Sequence, residues 1–330
     1  MITVEHLTKR YGDFTAVDDL SFEIQEGHVY GFLGPNGAGK STTMNIMTGC
    51  LSPTEGSVRI YGHDIFQEPN QAKRLMGYLP EQPPLYMNET PEEYLRFVGE
   101  AKGLRGGALE EQIRGVVEQT RLQEVYHKPI SALSKGYKQR VGIAQALLGD
   151  PKVVILDEPT VGLDPLQIIE IRELIHQLGR DRTVILSSHI LSEIQTMCDQ
   201  ILIIARGKLV AFDTPEGLER ALLAPSQITL TAEAGEDEVR EILSQVEHVV
   251  QAELTPREDG AVSVRVKTDG DSIYDVSRAI FFAFARRNRA LLEISLKKAN
   301  LEDIFLELTE GAGQPAGPEA PDEMKEVDEA

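Results

Sequence analysis

The sequence is poor in cysteine, in basic residues and in long apolar runs. Its 330 residues include two cysteines, Cys50 and Cys198, which lie far apart and have no CxxC spacing. The spacing suggests neither a disulfide framework nor a zinc site, and we expect two buried, reduced thiols of a cytoplasmic protein. Lysine and arginine number 33 against 53 aspartates and glutamates, and the formal net charge of -20 repels polyanions. We expect no nucleic-acid partner, and an anionic ligand would need a locally built site.

The sequence also lacks the long apolar stretch of a membrane-spanning helix. Its best apolar run, residues 201–205 and their neighbours, has only the length of a strand, whereas a span needs roughly 18 residues. The first residues, MITVEHLTKRYGDF, carry charges and have no apolar core of the kind that signal peptides contain. If the protein works at a membrane, we expect another chain to cross it.

Short runs of valine, isoleucine and leucine alternate with helix-length segments through most of the chain. This pattern favours a mostly parallel sheet covered by helices, because strands buried on both faces are continuously apolar. Apolar residues at helical spacing also predict an inserted helical subdomain over about 88–148, within one α/β domain over residues 1–220. The predicted buried strands are residues 28–33, 153–157, 183–187 and 201–205.

The pattern changes after Pro225. Four strand-like runs and two amphipathic segments follow in the order βαββαβ, which is the split arrangement of a ferredoxin-like domain. We predict this small α+β domain over residues 225–310, with a final helix over 301–308. Residues 311–330 are rich in proline, glycine, alanine and acid, and such a composition predicts a disordered acidic tail.

A glycine-rich segment, GPNGAGKS, directly follows the first of the buried strands and precedes a helix-like run. A glycine turn can match GxxxxGK[ST] by accident, but the flanking strand and helix favour a nucleoside triphosphate site. We expect Lys40 to reach the β- and γ-phosphates, Ser41 to bind Mg²⁺ and Thr42 to add a donor. The predicted phosphate-binding residues are Gly34, Pro35, Asn36, Gly37, Ala38, Gly39, Lys40, Ser41 and Thr42.

Two adjacent carboxylates, Asp157 and Glu158, end a second buried strand, VVILDEP. Ligands bind beyond the carboxyl ends of the strands in open α/β sheets, so both acids should face the phosphate loop. We expect Asp157 to hold Mg²⁺ and Glu158 to polarise the attacking water. His189 ends a neighbouring strand, where it can contact the γ-phosphate. Taken singly, each residue also fits an ordinary surface position, and their combination favours the catalytic interpretation.

A short basic segment, ALSKGYKQR, is unusual in so acidic a chain. Basic residues beside an aromatic are typical of proteins that bind nucleic-acid phosphates. The same segment also fits a solvated helix start with Ser134 as its cap. The residues alone leave both interpretations open.

Together these motifs resemble those of the ATP-binding cassette (ABC) ATPases. ALSKGYKQRV resembles the signature of this family, usually written LSGGQ; VGLD, ending at Asp164, resembles its D-loop, and SSH resembles its switch histidine. The resemblance covers residues 1 to about 220. It implies a P-loop NTPase with a RecA-like core and β-rich and helical subdomains, which binds ATP and Mg²⁺ and hydrolyses ATP. It also puts Tyr11 at the position of an adenine-stacking aromatic, although a packing role is equally open.

The resemblance implies two kinds of partner. In this family the signature closes over ATP held by a facing cassette, so Ser134, Gly136 and Asp164 are expected to act across a dimer, with a homodimer expected. Hydrolysis would open the pair and move integral membrane permease subunits. We therefore expect a cytoplasmic protein that is peripheral on the inner face of the cell membrane. Lys138 and Arg140 are expected on the solvated face of the signature helix.

Two positions depart from the family pattern. Glu81 follows YLP where the family generally has glutamine, and Gln82 comes next, so either can face Mg²⁺ or the attacking water. Lys135 and Tyr137 replace the commoner glycine and glutamine of the signature. LSKGYKQR, YLPE and ANLEDIFLELT are similar to ABC-2 type exporter ATPases, including gliding-motility-associated and multidrug export members. The expected function is thus to energise export through a separate permease.

Two other functions remain as alternatives. A soluble ABC ATPase could act on ribosomes or DNA, but such proteins usually carry tandem cassettes, long coiled coils or zinc cysteines, none of which the sequence shows. An importer ATPase usually has a β-rich extra domain instead of the βαββαβ pattern. The sequence favours the exporter.

Overall fold

The computed structural model describes residues 1–221, 226–257, 260–268 and 273–297. In residues 1–221 the strands are β1 (Ile2–Tyr11), β2 (Phe14–Ile24), β3 (Val29–Leu33), β4 (Glu55–Ile60), β5 (His63–Asp64), β6 (Met76–Leu79), β7 (Val153–Leu156), β8 (Thr183–Ser188), β9 (Gln200–Ala205) and β10 (Lys208–Asp213). The helices are α1 (Lys40–Met47), α2 (Pro69–Arg74), α3 (Pro91–Ala101), α4 (Gly106–Gln119), α5 (Lys135–Leu147), α6 (Pro165–Gly179), α7 (Leu191–Met197) and α8 (Pro215–Ala221), with two 3-10 turns at Gln123–Val125 and Ile130–Ala132.

A six-stranded sheet with the order β10-β9-β3-β8-β7-β6 forms the centre of this part. All neighbouring strands are parallel except β10, which pairs antiparallel with β9 at one edge. The four predicted buried strands are confirmed as β3, β7, β8 and β9, each with ends within one residue of the prediction. Because these strands run in one direction, the residues that follow β3, β7 and β8 come together at one edge of the sheet.

Two hydrophobic cores lie on opposite faces of the central sheet. Along β7, Val153 and Ile155 pack toward α1 and a second, antiparallel sheet with the order β2-β1-β4-β5, whereas Val154 and Leu156 pack toward the helices. This alternation follows from the two-residue period of a strand. Burial on both faces explains why the strand is continuously apolar in sequence.

The predicted helical segment is confirmed as helices α3 and α4, followed by α5. Thr90 begins α3 with a capping box: its side chain accepts a hydrogen bond from the N3 backbone, and Glu93 bonds back to the cap. Gly103, at φ +90°, separates α3 from α4. The bounds of 88–148 for a helical subdomain remain a prediction.

Residues 226–297 contain a separate four-stranded antiparallel sheet. Its elements are β11 (Ser226–Ala232), α9 (Glu236–Leu243), β12 (Val249–Pro256), β13 (Val262–Thr268), α10 (Ile273–Arg286) and β14 (Leu291–Lys297). The strand order β12-β13-β11-β14 and the element order βαββαβ confirm the ferredoxin-like prediction. Its core joins one sheet face to both helices, through residues such as Leu230, Val239, Val264 and Ile280. The predicted helix over 301–308 and the tail over 311–330 lie outside the described residues.

The prediction for Cys50 is wrong. Cys50 is exposed because it lies in the turn that follows the end of α1, whereas Cys198 is buried as predicted. The side chain of Cys198 packs against Gly31 of β3, and burial raises the pKa of its thiol. Within the described ranges, no helix combines the length and apolarity needed to cross a bilayer.

Candidate nucleotide site

The predicted phosphate loop connects β3 to α1, and its glycines are needed for its shape. Gly37 and Gly39 have φ values of +79° and +105°, in the region that side chains disfavour. A β-carbon on Gly39 would come within 2.6 Å of the Ala16 carbonyl oxygen. Gly39 is also the N-cap of α1, where backbone N–H groups are free to bind an anion. The loop therefore fits a phosphate group.

Lys40 is the first residue of α1 and is 5% exposed. Its Nζ donates to the carbonyl oxygens of Gly34 at 2.7 Å and Pro35 at 3.3 Å, and lies 3.9 Å from Glu158 Oε1. Burial lowers the pKa of this ammonium group, while Glu158 and neighbouring carboxylates act in the opposite direction. The Lys40 ammonium group is therefore buried and bonded mainly to carbonyl oxygens of the loop. It can exchange these partners for phosphate oxygens without moving into solvent.

Ser41 and Asp157 meet beside the phosphate loop. The Ser41 hydroxyl donates to Asp157 Oδ1 at 3.4 Å, and Ser187 donates to the same oxygen at 2.5 Å. Hydroxyl and carboxylate oxygens suit Mg²⁺, which usually takes one or two carboxylates and fills its other positions with phosphate and water. In the part of the chain that the structure describes, no group of three or more His, Cys, Asp and Glu forms a site for a metal held by protein alone. The oxygen atoms of Ser41 and Asp157 therefore fit Mg²⁺ that is also bound by phosphate and water.

Glu158 is held in one position by its backbone and by two neighbours. It is 7% exposed and has φ 47°, an unusual value for a residue with a side chain. Its backbone N–H donates to Ser187 Oγ at 2.8 Å, and both of its carboxylate oxygens lie 3.1 Å from His189 Nδ1. The predicted base and the predicted histidine are therefore in direct contact.

The remaining predicted nucleotide residues differ in their exposure. Tyr11 ends β1, is 49% exposed, and has Lys9 Nζ 5.1 Å from its ring centroid. Glu81 and Gln82 are exposed in the segment after β6, and the charge of Glu81 offsets a small part of the lowering of the Lys40 pKa by burial. The other loop positions differ in exposure: Ala38 is buried, Pro35 and Thr42 are half-buried, and Asn36, Gly37 and Ser41 are exposed.

The signature-like segment forms the start of α5. Ser134 is its cap, and the Ser134 side chain accepts a hydrogen bond from Tyr137 N at 3.4 Å. Asp164 caps α6 in the same way and accepts from Gln167 N at 3.0 Å. A β-carbon on Gly136 would come within 2.6 Å of the Gln167 side chain, so the two helix starts pack closely. An open cleft of about 380 Å³ lies here, and its lining includes Ser134, Gly136, Tyr137, Arg140, Gln167 and Glu170.

Lys135 extends from the start of α5 to the D-loop segment of the same chain. Its ammonium group lies directly against Gly162, in space that a β-carbon on that glycine would need. Gly162 has φ +66°, so the segment turns there in a conformation that favours glycine. The lysine that departs from the family pattern therefore contacts the segment that carries Asp164.

The prediction that Arg140 faces solvent is wrong. Arg140 is 7% exposed; its guanidinium donates to the Thr120 carbonyl oxygen at 3.0 Å and to Glu170 Oε2 at 2.5 Å. The guanidinium also lies 5.9 Å from the centroid of the Tyr137 ring. Arg140 thus joins α5 to the end of α4 and to α6, while Lys138 is half-buried.

Sequence reasoning missed two side chains that hold the site together. Ser187 supports both Asp157 and the backbone of Glu158. Glu193 is buried and accepts a hydrogen bond from the Thr160 hydroxyl. For Ser187 the available signal was a polar residue inside the otherwise apolar end of a strand, since such a residue requires a partner when buried.

Comparisons with known proteins identify the family of the chain. The family model described as "ABC transporter" matches residues 17–161. The uncharacterized ABC transporter ATP-binding protein YhcH of Bacillus subtilis (strain 168) is 36% identical over 318 residues, covering 94% of this chain and 96% of that protein. The bacitracin transport ATP-binding protein BcrA of Bacillus licheniformis is 35% identical, covering 94% and 98%. The dimeric structure of MJ0796, a bacterial ABC transporter cassette, has a TM-score of 0.59 at 25% identity and covers 65% of this chain and 98% of that one. The chain belongs to the ATP-binding proteins of ABC transporters and is an ABC ATPase.

Proposed function

We propose that two copies of this chain enclose and hydrolyse ATP, and that this cycle drives export through a separate membrane permease. The observation that carries the proposal is the arrangement at one edge of the central sheet. There the Glu158 carboxylate lies 3.1 Å from His189 Nδ1 and 3.9 Å from Lys40 Nζ. A base, a polar contact for the γ-phosphate and a phosphate-binding cation are thus within reach of one nucleotide.

The residues of the chain divide the work of hydrolysis. Lys40 exchanges its loop carbonyl partners for phosphate oxygens. Ser41 and Asp157 would hold Mg²⁺, which when bound neutralises charge that develops on the phosphates. Glu158 accepts hydrogen bonds from the attacking water and withdraws its proton, while His189 orients Glu158 and the γ-phosphate.

Residues at the start of α5 complete the site of the second copy. Ser134 and the N–H groups near Gly136 lie at a helix N-terminus, where positive potential favours an anion. In the proposed dimer they contact the γ-phosphate of ATP that the other copy holds, beside Asp164. A similar cassette has been solved as a dimer, which supports this arrangement. Loss of the γ-phosphate then removes a bridge between the two copies.

A role in transport is supported by a relative that aligns with almost the whole chain. The bacitracin transport ATP-binding protein aligns with 94% of this chain, including the region of the ferredoxin-like domain.

We propose that the permease binds an aromatic cluster formed by Tyr86 and Phe97, which are 52% and 51% exposed, with Met87 beside them. The ring centroids of Tyr86 and Phe97 lie 5.3 Å apart; Tyr86 lies in the segment between β6 and α3, and Phe97 lies on α3. Exposed apolar clusters of this kind commonly mark protein interfaces. The chain would then work at the cytoplasmic face of the membrane.

Purification of the tagged chain from membranes of its native host tests this proposal. We expect an integral membrane protein to copurify and to stimulate ATP hydrolysis. The double variant Tyr86→Ser and Phe97→Ser should lose this partner but keep the basal ATPase rate. Phe281→Ser removes an equally exposed aromatic ring, 51% exposed, from α10 and should keep the partner. Copurification with ribosomes or DNA and with no membrane protein would contradict the transport function.

A further inference from the structure

Glu193 is a buried carboxylate to which the proposed hydrolysis gives no role. It lies in the first turn of α7 and is 9% exposed. Its Oε2 accepts hydrogen bonds from Thr160 Oγ1 at 2.6 Å and from Ser188 Oγ at 3.3 Å. Among the ion pairs of the described residues, none includes Glu193. A buried carboxylate is costly unless it is well hydrogen-bonded, so these two hydroxyl groups account for its position.

The first donor belongs to the segment that leads from the catalytic base to the D-loop. Thr160 comes two residues after Glu158, and the N–H of Val161 donates to the Glu158 carbonyl oxygen at 3.2 Å. The N–H of Leu163 in turn donates to the Thr160 carbonyl oxygen at 3.2 Å. The hydroxyl that Glu193 holds is therefore part of a turn between Glu158 and Asp164.

The second donor belongs to the segment that carries the histidine. Ser188 directly precedes His189, and its hydroxyl accepts a hydrogen bond from the N–H of Ile190 at 3.0 Å. The Ser188 side chain thus contacts the backbone on the far side of His189 while it donates to Glu193. Because Ser188 is 1% exposed, water does not compete for these bonds.

We infer that Glu193 is a positioning residue that couples the D-loop to His189. The contacts form a closed ring. Glu193 accepts hydrogen bonds from Thr160 and Ser188, and His189, which follows Ser188 in the chain, contacts Glu158, two residues before Thr160. A displacement of the D-loop shifts Thr160, and the shared carboxylate passes this shift to the strand end that carries His189. The inference rests on the proposed function, since the D-loop moves against a second copy only in the dimer.

The coupling depends on the charge as well as on the shape of Glu193. Both hydroxyl groups donate to one carboxylate oxygen, and hydrogen bonds to a carboxylate are roughly twice as strong as those between neutral groups. Glutamine has the same size but offers a weaker acceptor and a surplus N–H group. Glu193→Gln therefore loosens the ring and preserves packing, whereas Glu193→Ala would also leave a cavity.

A mutant cycle on the full chain tests the coupling. The variants are Thr160→Val, Ser188→Ala and their combination, each made with and without Glu193→Gln. For each variant we measure kcat and KM for ATP, the affinity for a non-hydrolysable ATP analogue, and Tm. Ser192→Ala is the matched control, because Ser192 is exposed on the same helix. We expect Glu193→Gln to lower kcat about tenfold, with KM and analogue affinity within about twofold. Thr160→Val and Ser188→Ala should each lower kcat in the unaltered chain, but they should lower it little further in the Glu193→Gln variant.

Three results would overturn the inference. The first is an unchanged kcat in Glu193→Gln. The second is that the effects of Thr160→Val and Ser188→Ala on kcat add fully to the effect of Glu193→Gln. The third is that kcat falls only in variants whose Tm is also lower. If Glu193→Gln fails to fold, the cycle between Thr160→Val and Ser188→Ala decides alone, since coupling through Glu193 requires their effects to be non-additive. The proposed function fails separately, when the unaltered chain does not hydrolyse ATP or does not associate on binding it.

Discussion

The imidazole of His189 and the carboxylate of Glu158 are in direct contact, with Nδ1 3.1 Å from both carboxylate oxygens. The two residues follow adjacent parallel strands, β8 and β7, so the sheet itself brings them together. The Glu158 side chain is buried, and the Glu158 backbone N–H donates to Ser187, so Glu158 cannot easily move away from the histidine. The histidine is therefore placed to control where the carboxylate points.

Replacement of His189 by alanine should slow hydrolysis more than it weakens nucleotide binding. Without the imidazole, Glu158 loses a partner and the γ-phosphate loses a contact, so we expect kcat to fall by about 10²-fold with a smaller change in KM. Steady-state ATPase kinetics provide the measurement. His176→Ala is the control, since His176 lies on α6 and contacts the Thr196 carbonyl oxygen. Equal effects of the two substitutions would argue against a role for His189.

Replacement of Lys40 by alanine should abolish ATP binding or turnover. The ammonium group is the buried cation of the phosphate loop, held by the carbonyl oxygens of Gly34 and Pro35. Equilibrium binding of a fluorescent ATP analogue, together with the ATPase rate, measures the loss. Lys73→Ala removes an exposed lysine that donates to the Gly49 carbonyl oxygen and should change neither quantity. An unchanged ATPase rate in Lys40→Ala would refute the phosphate-loop interpretation.

The fold of residues 1–221 and the positions of the acidic residues at the sheet edge could be predicted because they depend on local patterns. Val153–Leu156 is continuously apolar and is followed by Asp157 and Glu158, so the strand and its functional end are both visible in the sequence. The same holds for the βαββαβ order of residues 226–297, in which strand and helix periods alternate clearly.

Side-chain partners across the fold could not be predicted in this way. Arg140 has the spacing of a solvated helix residue, yet it is buried where it contacts the end of α4 and Glu170 on α6. Cys50 follows a buried helix, yet the turn after that helix exposes it. Ser187 and Glu193 are ordinary polar residues in sequence, and their roles appear only when parallel strands bring distant segments together.

Replacement of Arg140 by methionine should destabilise the protein. The change leaves the Thr120 carbonyl oxygen without its donor and Glu170 without its ion-pair partner. Because the Glu170 side chain is 45% exposed, water screens part of the pair, and we expect a loss of about 1–3 kcal/mol. Urea denaturation gives the free energy of unfolding. Lys138→Met, at a half-buried position on the same helix, should cost much less, and an equal cost would contradict the structural role of Arg140.

Replacement of Lys135 by methionine tests whether the unusual signature lysine matters for turnover. Its ammonium group lies against Gly162, so removal of the charge should loosen the D-loop and reduce the positive potential near the start of α5. We expect a fall of several-fold, on the order of 1 kcal/mol, in kcat/KM for ATP, and no comparable fall in Lys138→Met. If Lys135→Met turns over ATP at the unaltered rate, the lysine only distinguishes a branch of the family.

The most direct test of the central claim is the mass of the Glu158→Gln variant with and without ATP and Mg²⁺. Glutamine keeps the size of the side chain but cannot withdraw a proton, so ATP should bind and persist. Size-exclusion chromatography with light scattering should then give the mass of one chain without ATP and of two chains with it. A mass that stays at one chain in saturating ATP would contradict the proposal that two copies close over the nucleotide.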